Sequence, residues 1–199
     1  MLKIKICGLR RLEDIEMANK YMPDYIGFVF ADSKRKVTHS QALELKENLN
    51  PDIVSVGVFV DAEPEEILEL FDEGIIDMAQ LHGSESEDYI LDLKQRTKGK
   101  LKIINAIEMR NETDLLAYDD SNADYLLLDS GKGSGKTFDW RLIRKDLKKD
   151  FFLAGGLDSS NVREAISQFN PYAVDLSSSL EVNGFKDENK IKEIMEAIK

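Results

Sequence analysis

Two residues with acid–base chemistry stand where apolar runs of the sequence end. Cys7 closes the run KIKIC, and Asp129 closes the run YLLLD. In a strand, Lys5 would share a face with Cys7, and a nearby cation lowers the pKa of a thiol. We therefore expect a thiolate at Cys7 that acts as a base. A carboxyl group after three leucines is partly desolvated, which favours its protonated form and suits Asp129 to act as a general acid.

Each of these residues also has a purely structural interpretation. A lone cysteine is often a small buried hydrophobic residue. An aspartate after a strand often caps the turn that follows. The residues by themselves leave both interpretations open.

Small and hydroxyl residues follow the last two apolar runs. Gly155 and Gly156 come after FFLA, and Ser177 and Ser178 come after VDL. Glycine lets backbone N–H groups approach a ligand closely, and serine adds hydroxyl donors. In parallel barrels the loops after the seventh and eighth strands commonly hold a phosphate. The pattern predicts a phosphorylated substrate.

Three further polar residues are predicted at the same rim. Arg35 stands between Lys34 and Lys36, and this cluster indicates either an anion contact or a solvated charged surface. Gln80 and His82 follow the fourth run and are expected to line the substrate pocket, although a lone histidine is often structural.

The glycine-rich segment GKGSGKT (131–137) superficially resembles a nucleotide-binding P-loop. That motif needs a glycine five positions before Gly135, where this sequence has Ser130. The spacing therefore argues against nucleotide binding.

Eight short apolar runs alternate with eight amphipathic segments along the chain. The runs are too short for helices, and they are predicted as buried parallel strands at 3–7, 25–30, 53–60, 78–82, 101–107, 124–129, 151–155 and 172–178. The helices are predicted at 12–21, 40–49, 64–74, 86–96, 112–120, 139–147, 160–169 and 188–199. Strict alternation predicts an α/β protein, a single (β/α)8 TIM barrel over residues 1–199, with an open doubly wound sheet as the alternative.

The composition narrows the classes of partner. A net charge of −11 argues against binding to nucleic acid or to an anionic membrane. No apolar run reaches the roughly 18 residues that a membrane span needs. One cysteine cannot form an internal disulfide, and this favours the cytoplasm.

The motifs together resemble one enzyme family. KICG, GFVF with SKR, VGVFV, QLHG, LLLD, GSGKTFDW, AGGL and VDLSSSLE occur in this order between Lys5 and Lys186. This set is similar to phosphoribosylanthranilate isomerase of tryptophan biosynthesis. The resemblance implies an intramolecular aldose–ketose isomerase that converts N-(5-phosphoribosyl)anthranilate to 1-(2-carboxyphenylamino)-1-deoxyribulose 5-phosphate.

The resemblance also implies roles for individual residues. Cys7 would be the general base, Asp129 the general acid, and Arg35 the contact for the anthranilate carboxylate. The phosphate would lie at the residues already named for it, which are Gly155, Gly156, Ser177 and Ser178. No metal and no cofactor is implied, and the protein is expected to be a monomer or a homodimer.

One position departs from the family pattern. Ser179 stands where the family usually has glycine. If that glycine needs a positive φ or a close approach of the backbone, serine would strain the phosphate loop. Two alternatives remain: a histidine-pathway isomerase, which resembles a pattern with aspartate at position 7, and a catalytically inert barrel, which would be expected to lose Cys7 or Asp129.

Overall fold

The sheet closes on itself as an eight-stranded parallel barrel. The computed structural model describes residues 2–111, 115, 118, 120–129, 139–143 and 147–198. The strands pair in chain order, and β8 pairs with β1 to complete the ring. The strands are β1 (Lys3–Cys7), β2 (Tyr25–Val29), β3 (Val54–Phe59), β4 (Met78–Leu81), β5 (Lys102–Glu108), β6 (Tyr125–Asp129), β7 (Phe151–Leu153) and β8 (Ala173–Leu176). The predicted barrel is confirmed, and the open-sheet alternative is wrong.

Six α-helices occur in the described part of the chain, and all of them match predicted ones. They are α1 (Leu12–Tyr21), α2 (His39–Glu47), α3 (Pro64–Asp72), α4 (Glu87–Arg96), α5 (Val162–Phe169) and α6 (Glu188–Ile198). The predicted helices at 112–120 and 139–147 lie partly outside the described residues, and Trp140–Leu142 of the second one form a 3-10 turn. The glycine-rich segment 131–137 lies wholly outside them.

Local sequence explains where the elements begin and end. Thr38 starts α2 with a capping box, in which its hydroxyl accepts from the Gln41 backbone and the Gln41 side chain accepts in return. Pro64 occupies the first turn of α3, where its missing N–H costs nothing. Among the described residues, no helix is both long enough and apolar enough to cross a membrane.

Large side chains fill the barrel interior at the amino ends of the strands. Tyr25, Phe152 and Tyr125 pack edge to face, with ring centroids 5.4 and 5.6 Å apart. Tyr172 completes this aromatic layer through a 2.8 Å hydrogen bond between its hydroxyl and that of Tyr25. Since apolar side chains occupy this end, the polar interior residues gather toward the carboxyl ends of the strands.

A two-stranded hairpin follows β8, and it was not predicted from the sequence. It consists of β9 (Glu181–Val182) and β10 (Phe185–Lys186), and its turn residues Asn183 and Gly184 both have positive φ. Arg10 ties the hairpin to the barrel rim, because its guanidinium donates to the carbonyls of Lys34 at 2.6 Å and Gly184 at 2.8 Å. The hairpin therefore lies beside the loops that follow β1 and β2.

Candidate active site

The two predicted acid–base residues lie at the same end of the barrel. Cys7 is the last residue of β1 and Asp129 is the last residue of β6, and only β7 and β8 separate these strands on the shorter way round the ring. Each residue is 8% exposed. Their placement at one mouth agrees with the prediction, and their chemical roles stay predictions.

The expected lowering of the Cys7 pKa is wrong. Burial of the thiol raises its pKa, and the charge of Asp175 adds to this effect. The ammonium groups of Lys5 and Lys186 act in the opposite direction and only partly offset it. At neutral pH the thiol therefore predominates, and a thiolate base would form a minor fraction that grows as the pH rises.

A row of polar side chains leads across the barrel mouth from β8 to Asp129. Lys5 Nζ donates to Asp175 Oδ2 at 2.9 Å and to Gln80 Oε1 at 2.8 Å. Gln80 Nε2 lies 3.0 Å from His82 Nδ1, and His82 Nε2 lies 3.6 Å from Asp129 Oδ2. These five residues, called the polar chain below, connect the β1–β8 side of the mouth to β6.

Burial divides the polar chain into an inner and an outer part. Lys5 is fully buried and Gln80 is 2% exposed, whereas the His82 side chain is 31% exposed. Burial lowers the pKa of Lys5, but the negative charges of Asp175 and of ionised Cys7 outweigh it, so the pKa is raised and the ammonium persists. His82 is thus the more accessible member and Gln80 lies behind it, and contact of either residue with a substrate stays a prediction.

The side chain of Arg35 reaches the rim of β1, as the sequence suggested. Its carbon Cδ would be 2.5 Å from a Cβ added at Gly8, directly after Cys7. Its guanidinium forms a two-pronged pair with Glu181, with Nε at 2.6 Å from Oε1 and Nη2 at 2.8 Å from Oε2. Among the described residues, the other terminal nitrogen, Nη1, has no hydrogen-bond partner, and contact of Arg35 with a substrate carboxylate stays a prediction.

Two residues of the hairpin belong to the site and were missed from sequence. Lys186 Nζ donates to Glu181 Oε1 at 2.9 Å and to the carbonyl of Ser177 at 3.0 Å. Although burial raises the pKa of Glu181, its pairs with Arg35 and Lys186 hold that pKa at about 2. The dipeptide Asn183-Gly184 is a strong hairpin signal, and it could have revealed both residues.

The predicted phosphate residues lie together in two neighbouring loops. Gly155 and Gly156 follow β7 with φ angles of +81° and +65°, a region that favours glycine. Ser177 and Ser178 follow β8, and the Ser177 hydroxyl donates to the carbonyl of Cys7 at 3.1 Å. The loop after β8 therefore adjoins Cys7, and phosphate binding at the two loops stays a prediction.

The strain that a positive φ would cause at Ser179 is absent. Ser179 lies inside the 3-10 turn Ser178–Leu180, and it is not among the described residues with positive φ. A serine adopts this conformation without the cost of a left-handed backbone. The departure from the family pattern thus imposes no left-handed backbone at position 179.

Comparison with known proteins decides the family. The family model of N-(5'-phosphoribosyl)anthranilate (PRA) isomerase matches residues 4–197. An N-(5'-phosphoribosyl)anthranilate isomerase of Endomicrobium trichonymphae is 44% identical over 204 residues, covering 100% of this chain and 99% of that protein. The chain belongs to the PRA isomerase family.

Solved structures of PRA isomerases share the architecture. One, in complex with reduced 1-(o-carboxyphenylamino)-1-deoxyribulose 5-phosphate, has a TM-score of 0.87 and 35% identity, covering 99% of this chain and 98% of that one. A structure of monomers made from the dimeric enzyme of Thermotoga maritima also has a TM-score of 0.87 and 35% identity, covering 99% of this chain and 98% of that one. As a member of the PRA isomerase family, the chain is an isomerase enzyme of tryptophan biosynthesis, and neither the histidine-pathway isomerase nor the inert barrel is supported.

Proposed function

We propose that this chain converts N-(5-phosphoribosyl)anthranilate to 1-(2-carboxyphenylamino)-1-deoxyribulose 5-phosphate, with Cys7 as general base and Asp129 as general acid. Family membership over residues 4–197 is the observation that carries the proposal. The position of both residues at one barrel mouth supports the assignment of roles.

The rearrangement requires one proton to be given and another taken. Asp129 donates its proton to the ribose ring oxygen, the bond from that oxygen to C1 breaks, and the nitrogen lone pair forms the Schiff base. The thiolate of Cys7 removes the proton from C2, and the electrons of that bond neutralise the iminium to give an enolamine. The enolamine tautomerises to the ketone, so no atom or electron is gained or lost.

The remaining residues hold the two ends of the substrate. We assign the phosphate to Gly155, Gly156, Ser177 and Ser178. The anthranilate carboxylate goes to Arg35, and the pocket wall to His82 with Gln80 behind it. A phosphorylated product analogue bound to a relative supports this substrate class. We further propose a single domain over 1–199 and a cytoplasmic enzyme that needs no cofactor. It would be a monomer or a homodimer, as a dimeric relative suggests.

Loss of the anthranilate fluorescence of freshly made substrate tests the assignment. We expect Cys7→Ala and Asp129→Asn each to lower kcat by about 10²- to 10⁴-fold, the usual contribution of a positioned acid or base, while circular dichroism stays unchanged. Asp72→Asn, an exposed aspartate on α3, is the matched control and should keep full activity. Activity near the wild-type level in Cys7→Ala would remove the proposed base.

A second variant tests the phosphate loop. Gly156→Val places a branched side chain on a backbone with φ of +65° and over the proposed anion site. We expect the affinity for a reduced product analogue to fall at least tenfold. An unchanged affinity for that analogue would contradict the site at Gly155 and Gly156.

A further inference from the structure

A buried amide stands between the ammonium of Lys5 and the ring of His82. Gln80 Oε1 is 2.8 Å from Lys5 Nζ, and Gln80 Nε2 is 3.0 Å from His82 Nδ1. Lys5 is itself fixed by Asp175 at 2.9 Å, so its position in the barrel is held from two sides. An amide in this setting has only one orientation that satisfies both of its neighbours.

The donor and acceptor types determine that orientation. An ammonium group can only donate, so the atom of Gln80 that faces Lys5 must be the carbonyl oxygen. The amide NH2 then points at His82 Nδ1, which must offer a lone pair. A neutral imidazole with a lone pair on Nδ1 carries its proton on Nε2. His82 Nε2 is the nitrogen that lies 3.6 Å from Asp129 Oδ2.

We propose that Lys5 and Gln80 hold His82 in the tautomer whose Nε2–H faces Asp129. The inference rests on the proposed function, in which Asp129 is the general acid. When Asp129 gives its proton to the substrate, it becomes a carboxylate, and a donor directed at Oδ2 stabilises that charge. A small movement of the partly exposed ring on substrate binding would close the gap of 3.6 Å.

Lys5 and Gln80 are positioning residues in this scheme. Gln80 is 2% exposed and both ends of its amide are engaged within the protein, so its effect on the reaction passes through His82. The same logic explains why a cation is buried two residues below Cys7. Without Lys5 the Gln80 amide could rotate, and His82 would lose its preference for one tautomer.

The tautomer can be observed directly by NMR correlation of ring protons with ring nitrogens. The chain has two histidines, and the other one, His39, lies on α2 and serves as an internal control. In the wild-type protein we expect His82 to show its proton on Nε2. Gln80→Glu replaces the donor with an acceptor and should place a proton on Nδ1, whereas Gln80→Met should give a mixture. The His39 signals should stay the same in all three proteins.

Kinetics supply the second readout. Gln80→Met should lower kcat about fivefold, the size expected from one orienting hydrogen bond, and leave KM within about twofold. In a His82→Gln background the donor at the Nε2 position no longer depends on Gln80. There, Gln80→Met should lower kcat by less than about twofold.

Each outcome bears on one claim. A proton on Nδ1 in the wild-type protein, an unchanged His82 spectrum in Gln80→Met, or an equal loss of kcat in the His82→Gln background would overturn the inference. Absence of turnover by the wild-type protein would instead overturn the proposed function, and the NMR assignment of the tautomer would still stand.

Discussion

Replacing Lys5 with methionine removes the only cation bonded to Asp175 among the described residues. The pair is 2.9 Å apart, and its side chains are 0% and 8% exposed. At an effective dielectric constant of about 20, two charges at 2.9 Å attract by about 6 kcal/mol. Part of this is offset because the buried ammonium no longer has to be desolvated. We therefore expect Lys5→Met to lower the free energy of unfolding by about 3–5 kcal/mol at pH 7.

The loss should depend on pH in a defined direction. Burial raises the pKa of Asp175 above its ordinary value, and Lys5 partly opposes this. Without Lys5 that pKa rises further, so the folded variant binds a proton that the unfolded chain does not. The loss of unfolding free energy in Lys5→Met should therefore be largest at neutral pH and above, and it should shrink as the pH falls through the raised pKa of Asp175.

Urea unfolding followed by the fluorescence of Trp140, the one tryptophan, measures both effects. Lys3→Met is the matched control, since Lys3 lies on the same strand and pairs with Asp24 at 2.6 Å, but with side chains 40% and 31% exposed. Lys3→Met should lower the free energy of unfolding by less than about 1 kcal/mol. Lys5→Met combined with Asp175→Asn should recover most of the loss. A deficit in Lys5→Met below about 1 kcal/mol, or one that does not change between pH 5.5 and 8, would refute the reasoning.

Two further predictions concern the residues around the thiol. Because the pKa of Cys7 is raised, kcat/KM should increase with pH above neutrality. Lys186→Met removes a cation that lowers this pKa, so it should move the rise in the pH–rate profile to higher pH. An unchanged profile in Lys186→Met would contradict the effect of Lys186 on Cys7. Gly8→Ala and Gly74→Ala should each cost about 1–2 kcal/mol in urea unfolding, since both backbones have positive φ. Only Gly8→Ala should also raise KM, because its Cβ would meet Arg35, whereas a Cβ at Gly74 meets nothing within 4 Å. Equal KM values in the two variants would contradict a role of Arg35 in substrate binding.

The barrel and its rim were predictable because they depend on local patterns. Short apolar runs alternating with amphipathic segments determine a parallel sheet, and parallel strands bring their carboxyl ends to one side. Strand alternation likewise predicted that Lys5 and Cys7 share the inner face. This is confirmed by the contacts of Lys5 with Asp175 and Gln80 across the interior.

The electrostatics of the site were not predictable in the same way. Proximity of Lys5 suggested a lowered pKa for Cys7, but the cost of burying the thiol depends on the whole fold and prevails. The pairing of Arg35 with Glu181 joins residues 146 positions apart in the sequence. Asn183-Gly184 signals the hairpin that carries Lys186, but neither spacing nor composition indicates that this hairpin folds back beside β1, which is what brings Lys186 to the site.

The Arg35–Glu181–Lys186 cluster combines two cations with one carboxylate, so a single positive charge is left over beside the mouth. The chain as a whole carries −11, and it would repel an approaching substrate with an anionic phosphate and carboxylate at long range. Dissolved salt weakens the distant repulsion more than the attraction at close contact, because screening acts over a Debye length of about 8–10 Å. Moderate ionic strength should thus speed the diffusional capture of a substrate that carries both a phosphate and a carboxylate, the reverse of what an enzyme with a uniformly basic surface would show.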